Sequence, residues 1–263
     1  MEILAVANQK GGVGKTTVVL GLAARASARG ERVLVVDLDP QANATSGLAV
    51  WDPALTVDHA LAADRPGAIA SVIGPAGWGP AVGLGAVPSV APASPSLAGR
   101  EPQLANDPVG AQDRLAIALD GLDFDLVLID CPPSLGLLTV NGLFAAHRAL
   151  VVTEPGAWAV DGVDQMLQTI ARVGQRRGRP LPVAGIVVNR LGRTRDNKYW
   201  YEQVREAYPL LVRSPIQLRA AVAEASAQSM PIHALAGRAG AVEAMEQFDL
   251  LLDELLEPAD AGL

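Results

Sequence analysis

Short apolar runs alternate with longer amphipathic stretches along this chain. The runs are rich in Val, Ile, Leu and Ala, a composition typical of strands buried on both faces of a parallel sheet. Strands are predicted at 3–7, 32–36, 125–129, 149–153 and 183–189. Helical periodicity follows the first run and recurs at about 110–119, 161–173, 192–208 and 240–256. This order predicts an α/β fold, a doubly wound, mostly parallel sheet flanked by helices, in one domain at 1–256 with a short tail at 257–263.

The segment 51–108 has the least regular pattern. Glycine and proline are dense from Gly74 to Gly99, a composition that also fits a disordered linker. We expect a short strand from Val82 to Pro88 and, beyond it, a mobile or partner-facing loop from Val90 to Leu104. Because it contains this expected strand, the segment 51–108 is predicted to be part of the domain.

A glycine-rich loop, NQKGGVGKTT, occupies residues 8–17 between the first predicted strand and the first helix, the context of a phosphate-binding loop. Its glycines lack Cβ atoms, so backbone N–H groups can turn toward a polyphosphate, and the helix adds its positive end. Lys15 is expected to reach the β and γ phosphates, and the Thr16 hydroxyl to hold Mg²⁺. The predicted nucleotide contacts in this loop are Gly11, Gly12, Val13, Gly14, Lys15, Thr16 and Thr17.

Acidic residues end two of the predicted strands. Asp37 follows the run 32–36, and Asp130 follows a run of four apolar residues. Because the carboxyl ends of parallel strands border the ligand crevice, both carboxylates are expected near Mg²⁺, Asp130 through a water. Asp39 lies beyond the strand tip on a loop that Pro40 stiffens, where a turn or helix-capping role is the structural alternative to catalysis.

Three motifs together resemble those of the ParA/Soj ATPases, a deviant Walker A group within the ParA/MinD family. They are KGGVGKTT, DLDPQANATSG at 37–47 and DCPPS at 130–134, and the resemblance runs from about residue 1 to residue 256. It implies that Lys10 crosses to the nucleotide of a partner subunit, so that Mg-ATP is enclosed in a homodimer. An exposed surface lysine is the alternative. Lys10, Lys15 and Asp39 are then the catalytic residues, with Asp39 orienting the attacking water.

The same resemblance implies a switch segment and a base-binding region. The residues that sense the γ-phosphate are Gln41, Asn43, Thr45 and Ser46. Asn189 reads the edge of the adenine, and the segment 214–216, with Pro215 at its centre, lies against the base. An asparagine at 189 that caps the next helix would leave the same sequence pattern.

Composition narrows the class of protein. The chain has 263 residues, is 50% hydrophobic and has a mean hydropathy of +0.25, which suffices for a full core. A single cysteine, Cys131, excludes a disulfide within the chain and argues against iron–sulfur relatives that share the loop. The sequence has no unbroken apolar stretch of about 18 residues and no charged-then-apolar leader, so we expect a cytoplasmic protein.

The predicted last helix, 240–256, has an acidic polar face. Its acidic residues are Glu243, Glu246, Asp249, Asp253 and Glu254. A helix that lies on anionic lipid needs Lys and Arg at these positions. We therefore expect this helix to dock on the domain and no membrane to be a partner.

Basic residues are concentrated in one segment. Residues 170–238 contain 12 basic and 4 acidic residues, a net charge of +8 in a chain whose net charge is −7. Such asymmetry indicates a polyanion-binding face, with scattered solvated arginines as the alternative. The candidate DNA contacts are Arg193, Arg195, Lys198 and Arg219. Ala221 stands where many DNA-binding ParA/Soj proteins have an arginine, so either Arg219 replaces it or DNA binding is weakened.

The resemblance gives a function as an expectation. ATP would make a dimer, the dimer would bind nonspecific DNA on the nucleoid, and a ParB-like adaptor would stimulate an otherwise slow ATPase that partitions or positions chromosome, plasmid or other cargo. Two alternatives belong to other classes. One is a MinD-like membrane-associated division-site regulator, and the other is a metabolic P-loop enzyme acting on a small molecule.

Overall fold

The computed structural model describes residues 1–79 and 86–257. Its β-strands are β1 (Glu2–Ala7), β2 (Val33–Asp37), β3 (Gly74–Pro75), β4 (Ser89–Ala91), β5 (Leu126–Asp130), β6 (Arg148–Thr153) and β7 (Val183–Val188). Its α-helices are α1 (Lys15–Ala28), α2 (Asn43–Gly47), α3 (Val57–Ala63), α4 (Arg100–Ala105), α5 (Arg114–Ala118), α6 (Leu137–Ala145), α7 (Ala159–Arg176), α8 (Arg195–Ala207), α9 (Ala220–Ala227) and α10 (Ala241–Leu256). Short 3₁₀ helices lie at Ala68–Ser71, Pro95–Gly99 and Ile232–Leu235.

The strands form one sheet in the order β3-β4-β2-β5-β1-β6-β7. All neighbouring pairs are parallel except β3 with β4. The chain leaves β1 toward one side of the sheet and later returns to build β6 and β7 on the other side. The crevice at the carboxyl end of β1 is therefore the topological switch point, where α/β sheets bind their ligands.

Burial on both faces explains the strand composition. All five residues of β2 and of β5 are buried. A separate cluster of hydrophobic side chains, from strands and helices, lies on each face of the sheet. A strand covered on both sides needs an unbroken apolar run, because neither face meets water. The predicted fold class, a doubly wound and mostly parallel sheet flanked by helices, is confirmed.

The segment 51–108 is more ordered than its composition indicates. Of the strand expected from Val82 to Pro88, residues 82–85 lie outside the described residues and 86–88 are not in a strand. The strand is β4, Ser89–Ala91, because its backbone pairs with Leu34–Val36 of β2. The expectation of a loop from Val90 to Leu104 is likewise wrong, since this stretch holds the end of β4, a 3₁₀ helix and most of α4.

The last helix docks on the domain, as predicted. Phe248 of α10 is buried against α1, and a Cβ atom added to Gly21 would approach its ring to 2.3 Å. Arg25 of α1 donates from Nε and Nη2 to the two carboxylate oxygens of Asp249, at 2.8 and 2.6 Å. The acidic face of α10 therefore forms ion pairs with α1 of the same chain. Within residues 1–79 and 86–257, none of the helices combines the length and the apolarity that crossing a membrane requires.

The three consecutive aromatic residues of α8, 199–201, have different surroundings. Tyr201 packs against the core cluster, whereas Trp200 is half-buried, donates from Nε1 to Asp196 and stacks edge-on against Tyr199. Tyr199 is exposed. Helical rotation turns only one of three consecutive side chains to the sheet.

The α1–α10 contact predicts a pH-dependent stability. Burial and the neighbouring Arg25 lower the pKa of His233 to about 4 from an ordinary value of 6.5. Between these values the unfolded chain binds the proton and the folded chain does not, so the free energy of unfolding falls as pH drops through this window. In chemical denaturation at a series of pH values, His233→Asn should flatten that slope. A variant with the wild-type slope from about pH 6.5 to 4 would contradict the assignment.

Candidate nucleotide-binding site

The glycine loop turns tightly between β1 and α1. Gly12 and Gly14 have φ angles of 79° and 88°, in the left-handed region, and Gly14 is the N-cap of α1. A Cβ atom on Gly14 would lie 2.1 Å from Nδ2 of Asn189. That same Nδ2 donates to the Val13 carbonyl at 2.9 Å. Glycine is required at 14 both for the backbone angle and for the close approach of Asn189 from the end of β7.

Lys15 lies beneath this loop and is 6% exposed. Its Nζ is 3.5 Å from the Lys10 carbonyl oxygen. Burial lowers the pKa of Lys15, and the Asp130 carboxylate opposes that shift. The charge of this ammonium beneath the loop would complement a polyanion bound there.

Asp130, at the end of β5, has the free oxygen that a divalent cation needs. The Thr16 hydroxyl donates to its Oδ2 at 2.6 Å, which leaves the hydroxyl lone pairs for a metal. Its Oδ1 is buried and has no hydrogen-bond partner among the described residues. Burial and the adjacent Asp37 raise the pKa of Asp130 to about 8. A divalent cation would offset this repulsion, so the donor set fits Mg²⁺.

These residues alone do not enclose a metal. Across residues 1–79 and 86–257, no group of three His, Cys, Asp or Glu side chains could hold one. Mg²⁺ sites of this kind complete their coordination with waters and substrate phosphates. Thr16 and Asp130 would therefore hold Mg²⁺ together with a nucleotide.

Asp37, the other predicted metal residue, is engaged with the chain. Its Oδ2 accepts from the Thr45 N–H at 2.8 Å and from the Thr45 hydroxyl at 2.7 Å, and its Oδ1 accepts from the Asp39 N–H at 3.1 Å. Burial raises its pKa to about 6, against these hydrogen bonds. Thr45 is buried and also accepts from the Ala93 N–H, so it fastens α2 to the sheet. The place of Thr45 in a segment that senses the γ-phosphate stays a prediction.

A cleft of about 390 Å³ opens beside the loop. Its walls include Lys15, Thr16, Asp39, Gln41, Asn43 and Ser46. Asp39 is 8% exposed, and its Oδ1 accepts from the Gln41 N–H at 2.9 Å. The structure thus places Asp39 and three of the four predicted switch residues around the space next to Lys15. The hydrogen bond from Gln41 also fits the alternative given above, in which Asp39 stabilises a turn and has no catalytic role.

Lys10 lies on the opposite rim of the loop, away from that cleft. Its side chain is 43% exposed, and its Nζ pairs with Glu154 at 2.9 Å. It borders an open groove of about 890 Å³ that also contains Leu135, Trp158 and Asp161. Trp158 is 72% exposed. A cation and an exposed tryptophan therefore share one surface beside the phosphate loop.

The predicted base-binding residues lie at and beyond the end of β7. Asn189 is buried, with its amide on the P-loop backbone rather than on the next helix. Pro215 is half-buried, and the Ile216 N–H after it donates to the Val188 carbonyl at 3.1 Å. Gln217, Leu218 and Arg219, rather than Pro215, line the adjacent cavity with Asn189.

The basic segment does not form a uniform surface. Several of its arginines bind the protein itself, since Arg177 donates to the carbonyl oxygens at the end of α6 and Arg213 donates to that of Ala184. The predicted DNA contacts Arg193, Arg195 and Lys198 are exposed at the start of α8. Among the described residues, none of these three forms an ion pair. Arg219 is half-buried and faces the cavity beside Asn189.

The position of Ala221 explains why an arginine is absent there. Ala221 is 2% exposed and packs in a small cluster between α9 and α10. An arginine at this position would have to bury its charge or displace α9. Arg219 is half-buried, with its Nε buried, and the two alternatives, that it takes over from an arginine at 221 or that DNA binding is weakened, stay predictions.

Three residues of the site were missed from the sequence. Asn8 donates to the Val152 carbonyl and accepts from the Lys10 N–H, which fixes the start of the loop. Glu154 pairs with Lys10, and Arg190 donates to the Gly12 carbonyl at 2.6 Å. Arg190 has a φ angle of 56°. The one available signal was position, since Glu154 and Arg190 both follow the carboxyl end of a predicted strand.

The fold and the site define a P-loop nucleotide-binding protein: a glycine loop between β1 and α1, a buried lysine under the loop, and a strand-end aspartate bonded to the loop threonine. Residues 1–182 match the family model described as an AAA domain. The chain is 35% identical over 237 residues to the sporulation initiation inhibitor protein Soj of Bacillus subtilis, covering 88% of this chain and 90% of that protein. The chain belongs to the ParA/Soj family of ATPases, within the wider ParA/MinD family.

Another relative and two solved structures agree on the fold. The chain is 40% identical over 191 residues to the chromosome partitioning protein ParA of Myxococcus xanthus, covering 71% of this chain and 64% of that protein. A cobyrinic acid a,c-diamide synthase from Mycobacterium smegmatis, with bound ATP analogue and magnesium, is 35% identical at a TM-score of 0.77, with 96% of this chain and 94% of that chain covered. McdA of Cyanothece, in an ATP complex, is 20% identical at a TM-score of 0.82, with 100% and 99% covered, which shows the fold alone.

Proposed function

We propose that this chain is a Mg-ATP-dependent ATPase that pairs as a homodimer in its ATP state, binds nonspecific DNA and positions a large cargo. A ParB-like or other adaptor stimulates its hydrolysis. The cargo is a chromosome, a plasmid or another cellular body, and the protein works on the nucleoid as a single ATPase domain over 1–256. The observation that carries this proposal is the different placement of two lysines of one loop. Lys15 is buried under the loop and Lys10 is exposed on its outer rim.

ATP and Mg²⁺ are the cofactors of the proposal. The prediction of this pair from the sequence is confirmed by the ATP analogue and magnesium in the Mycobacterium smegmatis structure. When bound, Mg²⁺ would neutralise charge on the β and γ phosphates. The loop residues from Lys10 to Thr17 bind the phosphates, with Thr16 and Asp130 at the metal and Asp37 adding its charge nearby. Asn189 and the segment around Pro215 bind the base.

Hydrolysis then depends on position rather than on a strong base. Phosphoryl transfer requires an in-line water and cations that stabilise the equatorial oxygens. Asp39 is on the wall of the cleft beside Lys15, where its carboxylate can accept a hydrogen bond from the attacking water. Lys10 points away from its own cleft, so it reaches a phosphate only in a second copy. Basal turnover is accordingly slow, and an adaptor that orders the switch residues accelerates it.

DNA binding by α8 has a test in its salt dependence. In the ATP-bound Asp39→Ala protein, adding either Arg195→Glu or Arg193→Glu should weaken binding to random duplex DNA. Each lost phosphate contact should reduce the slope of log affinity against log salt by about one. Arg238→Glu is the charge-matched control, because Arg238 is exposed but paired with Glu224. Equal losses in the control and the α8 variants, or no DNA binding at low salt, would contradict this part of the proposal.

A metabolic enzyme is the second candidate, and the Mycobacterium smegmatis similarity favours it. That protein is a cobyrinic acid a,c-diamide synthase by its description, and the groove beside Lys10 has about 890 Å³ in which an acceptor could bind. The discriminating measurement is ATP turnover in the absence of DNA and of any adaptor. Turnover that requires a small carboxylic acid and an amide donor would replace the positioning function.

A further inference from the structure

Arg190 has a backbone conformation that its residue type disfavours. Its φ angle is 56°, in the left-handed region, where the Cβ atom of any residue other than glycine is crowded by the backbone. Such strain persists where the surrounding structure imposes it, and it is found most often at functional sites. Arg190 follows the end of β7, and its Nη1 donates to the Gly12 carbonyl of the glycine loop at 2.6 Å.

Two consecutive carbonyl groups of the loop are bound by two consecutive residues. Arg190 binds the Gly12 carbonyl, and Asn189 donates from Nδ2 to the Val13 carbonyl at 2.9 Å. The C=O and N–H groups of one trans peptide unit point in opposite directions, because the unit is planar. The N–H of Val13 therefore points away from Arg190. By the same geometry, the N–H of Gly14 points away from Asn189.

These N–H groups are the donors that a phosphate-binding loop requires. Among the described residues, no backbone carbonyl accepts a hydrogen bond from the N–H groups of residues 11–14. Gly12, Gly14 and Lys15 border the cleft of about 390 Å³ described above. Backbone donors without a partner, beside a lysine and at the start of a helix, form an anion-binding site. The side chains at 189 and 190 thus determine which way these donors face.

Core packing does not explain the strained backbone at Arg190. The residue is exposed, so its side chain adds little to the apolar area that stabilises the fold. None of the ion pairs among the described residues involves it. Its contact with the Gly12 carbonyl joins the end of β7 to the loop between β1 and α1, which indicates a role in the loop.

We infer that Arg190 is a positioning residue of the phosphate loop, which holds the Gly12 carbonyl and so orients the Val13 N–H toward a bound polyphosphate. The inference rests on the proposed ATP site. Arg190 acts through the loop backbone and needs no contact with the base of the nucleotide. The left-handed conformation at 190 is retained because it brings the guanidinium to the Gly12 carbonyl.

The test compares Arg190→Ala and Arg190→Gly with wild type in titration calorimetry against Mg-ATP, Mg-GTP and inorganic tripolyphosphate. Both variants should bind tripolyphosphate about tenfold more weakly, equivalent to about 1.4 kcal/mol, the scale of one hydrogen bond from a charged donor. ATP and GTP affinities should fall by the same factor, because a displaced loop N–H affects the phosphates of each ligand alike. The ratio of ATP to GTP affinity should therefore keep its wild-type value.

Thermal melting separates a positioning role from a structural one. Glycine adopts a left-handed φ without strain, so Arg190→Gly should melt about 2–4 °C above Arg190→Ala, although both bind tripolyphosphate equally weakly. Ser229→Gly is the matched backbone control, because Ser229 also has a left-handed φ, of 52°, and lies outside the glycine loop. It should melt at or above the wild-type temperature and bind tripolyphosphate as wild type does.

Three results would overturn the inference. Wild-type tripolyphosphate affinity in Arg190→Ala would show that the loop keeps its shape without this contact. A loss confined to ATP and GTP would make Arg190 a contact of the nucleoside instead. A melting temperature of Arg190→Gly several degrees below wild type would make Arg190 a support of the whole fold. Each of these refutes the inference alone, whereas a wild-type protein that binds neither tripolyphosphate nor Mg-ATP would refute the proposed function itself.

Discussion

Lys15→Met is expected to lower the affinity for Mg-ATP by roughly 100- to 10,000-fold. In the proposed site Lys15 binds two phosphates, and each hydrogen bond from a charged donor is worth about 1.5–3 kcal/mol. Methionine keeps most of the apolar stem and removes the charge. Titration calorimetry of the wild type and the variant measures the loss, with the exposed Lys198→Met of α8 as the matched control.

The same substitution should leave the fold intact or make it more stable. Lys15 is 6% exposed, and a buried ammonium carries a desolvation cost that methionine does not. A melting temperature at or above the wild-type value would therefore separate lost binding from lost folding. An ATP affinity within about threefold of wild type would mean that Lys15 does not bind the phosphates.

Lys10→Ala is expected to abolish ATP-driven pairing of subunits and to lower turnover by roughly 10³-fold, the lower end of what a cation supplied in trans contributes to phosphoryl transfer. Binding of ATP to the single chain should persist, because Lys10 points away from its own cleft. Analytical ultracentrifugation with and without Mg-ATP measures pairing, and phosphate release measures turnover.

The ion pair that holds Lys10 provides the control. Lys10 and Glu154 are 2.9 Å apart and both partly exposed, so their pairing contributes at most about 1 kcal/mol and Lys10 can leave at little cost. In the presence of ATP, subunits of Glu154→Gln should accordingly associate with one another at least as readily as wild-type subunits do. If Lys10→Ala pairs and turns over ATP like wild type, the chain is an ordinary nucleotide binder and the positioning cycle must be abandoned.

The parallel core was predictable from the sequence because its signal is local. Each central strand is buried on both faces, so its residues form an unbroken apolar run, and the acid that ends β5 marks the edge of the crevice. The glycine loop was equally clear, since its composition and its place between strand and helix agree. These features needed no knowledge of distant contacts.

The remaining features depend on residues far apart in sequence. Arg219 was predicted as a DNA contact because it lies in a basic segment; in the structure it is half-buried, in a stretch whose backbone pairs with that around Leu191. The hydrogen bonds of Thr45 to Asp37 and Ala93 likewise join residues that are far apart in sequence, so the sequence did not predict them. In the segment 51–108, β4 forms because β2 offers it a backbone edge, which glycine and proline content cannot reveal.

The chain has three lysines, and their surroundings make them chemically distinguishable. An amine-directed acylating reagent should modify Lys198 freely and Lys10 readily, while Lys15, shielded beneath the glycine loop, should react slowly. Peptide mapping by mass spectrometry would measure the extent of acylation of each lysine, with Lys198 as the internal standard. Protection of Lys10 upon adding Mg-ATP would record association of two chains without any label or engineered site.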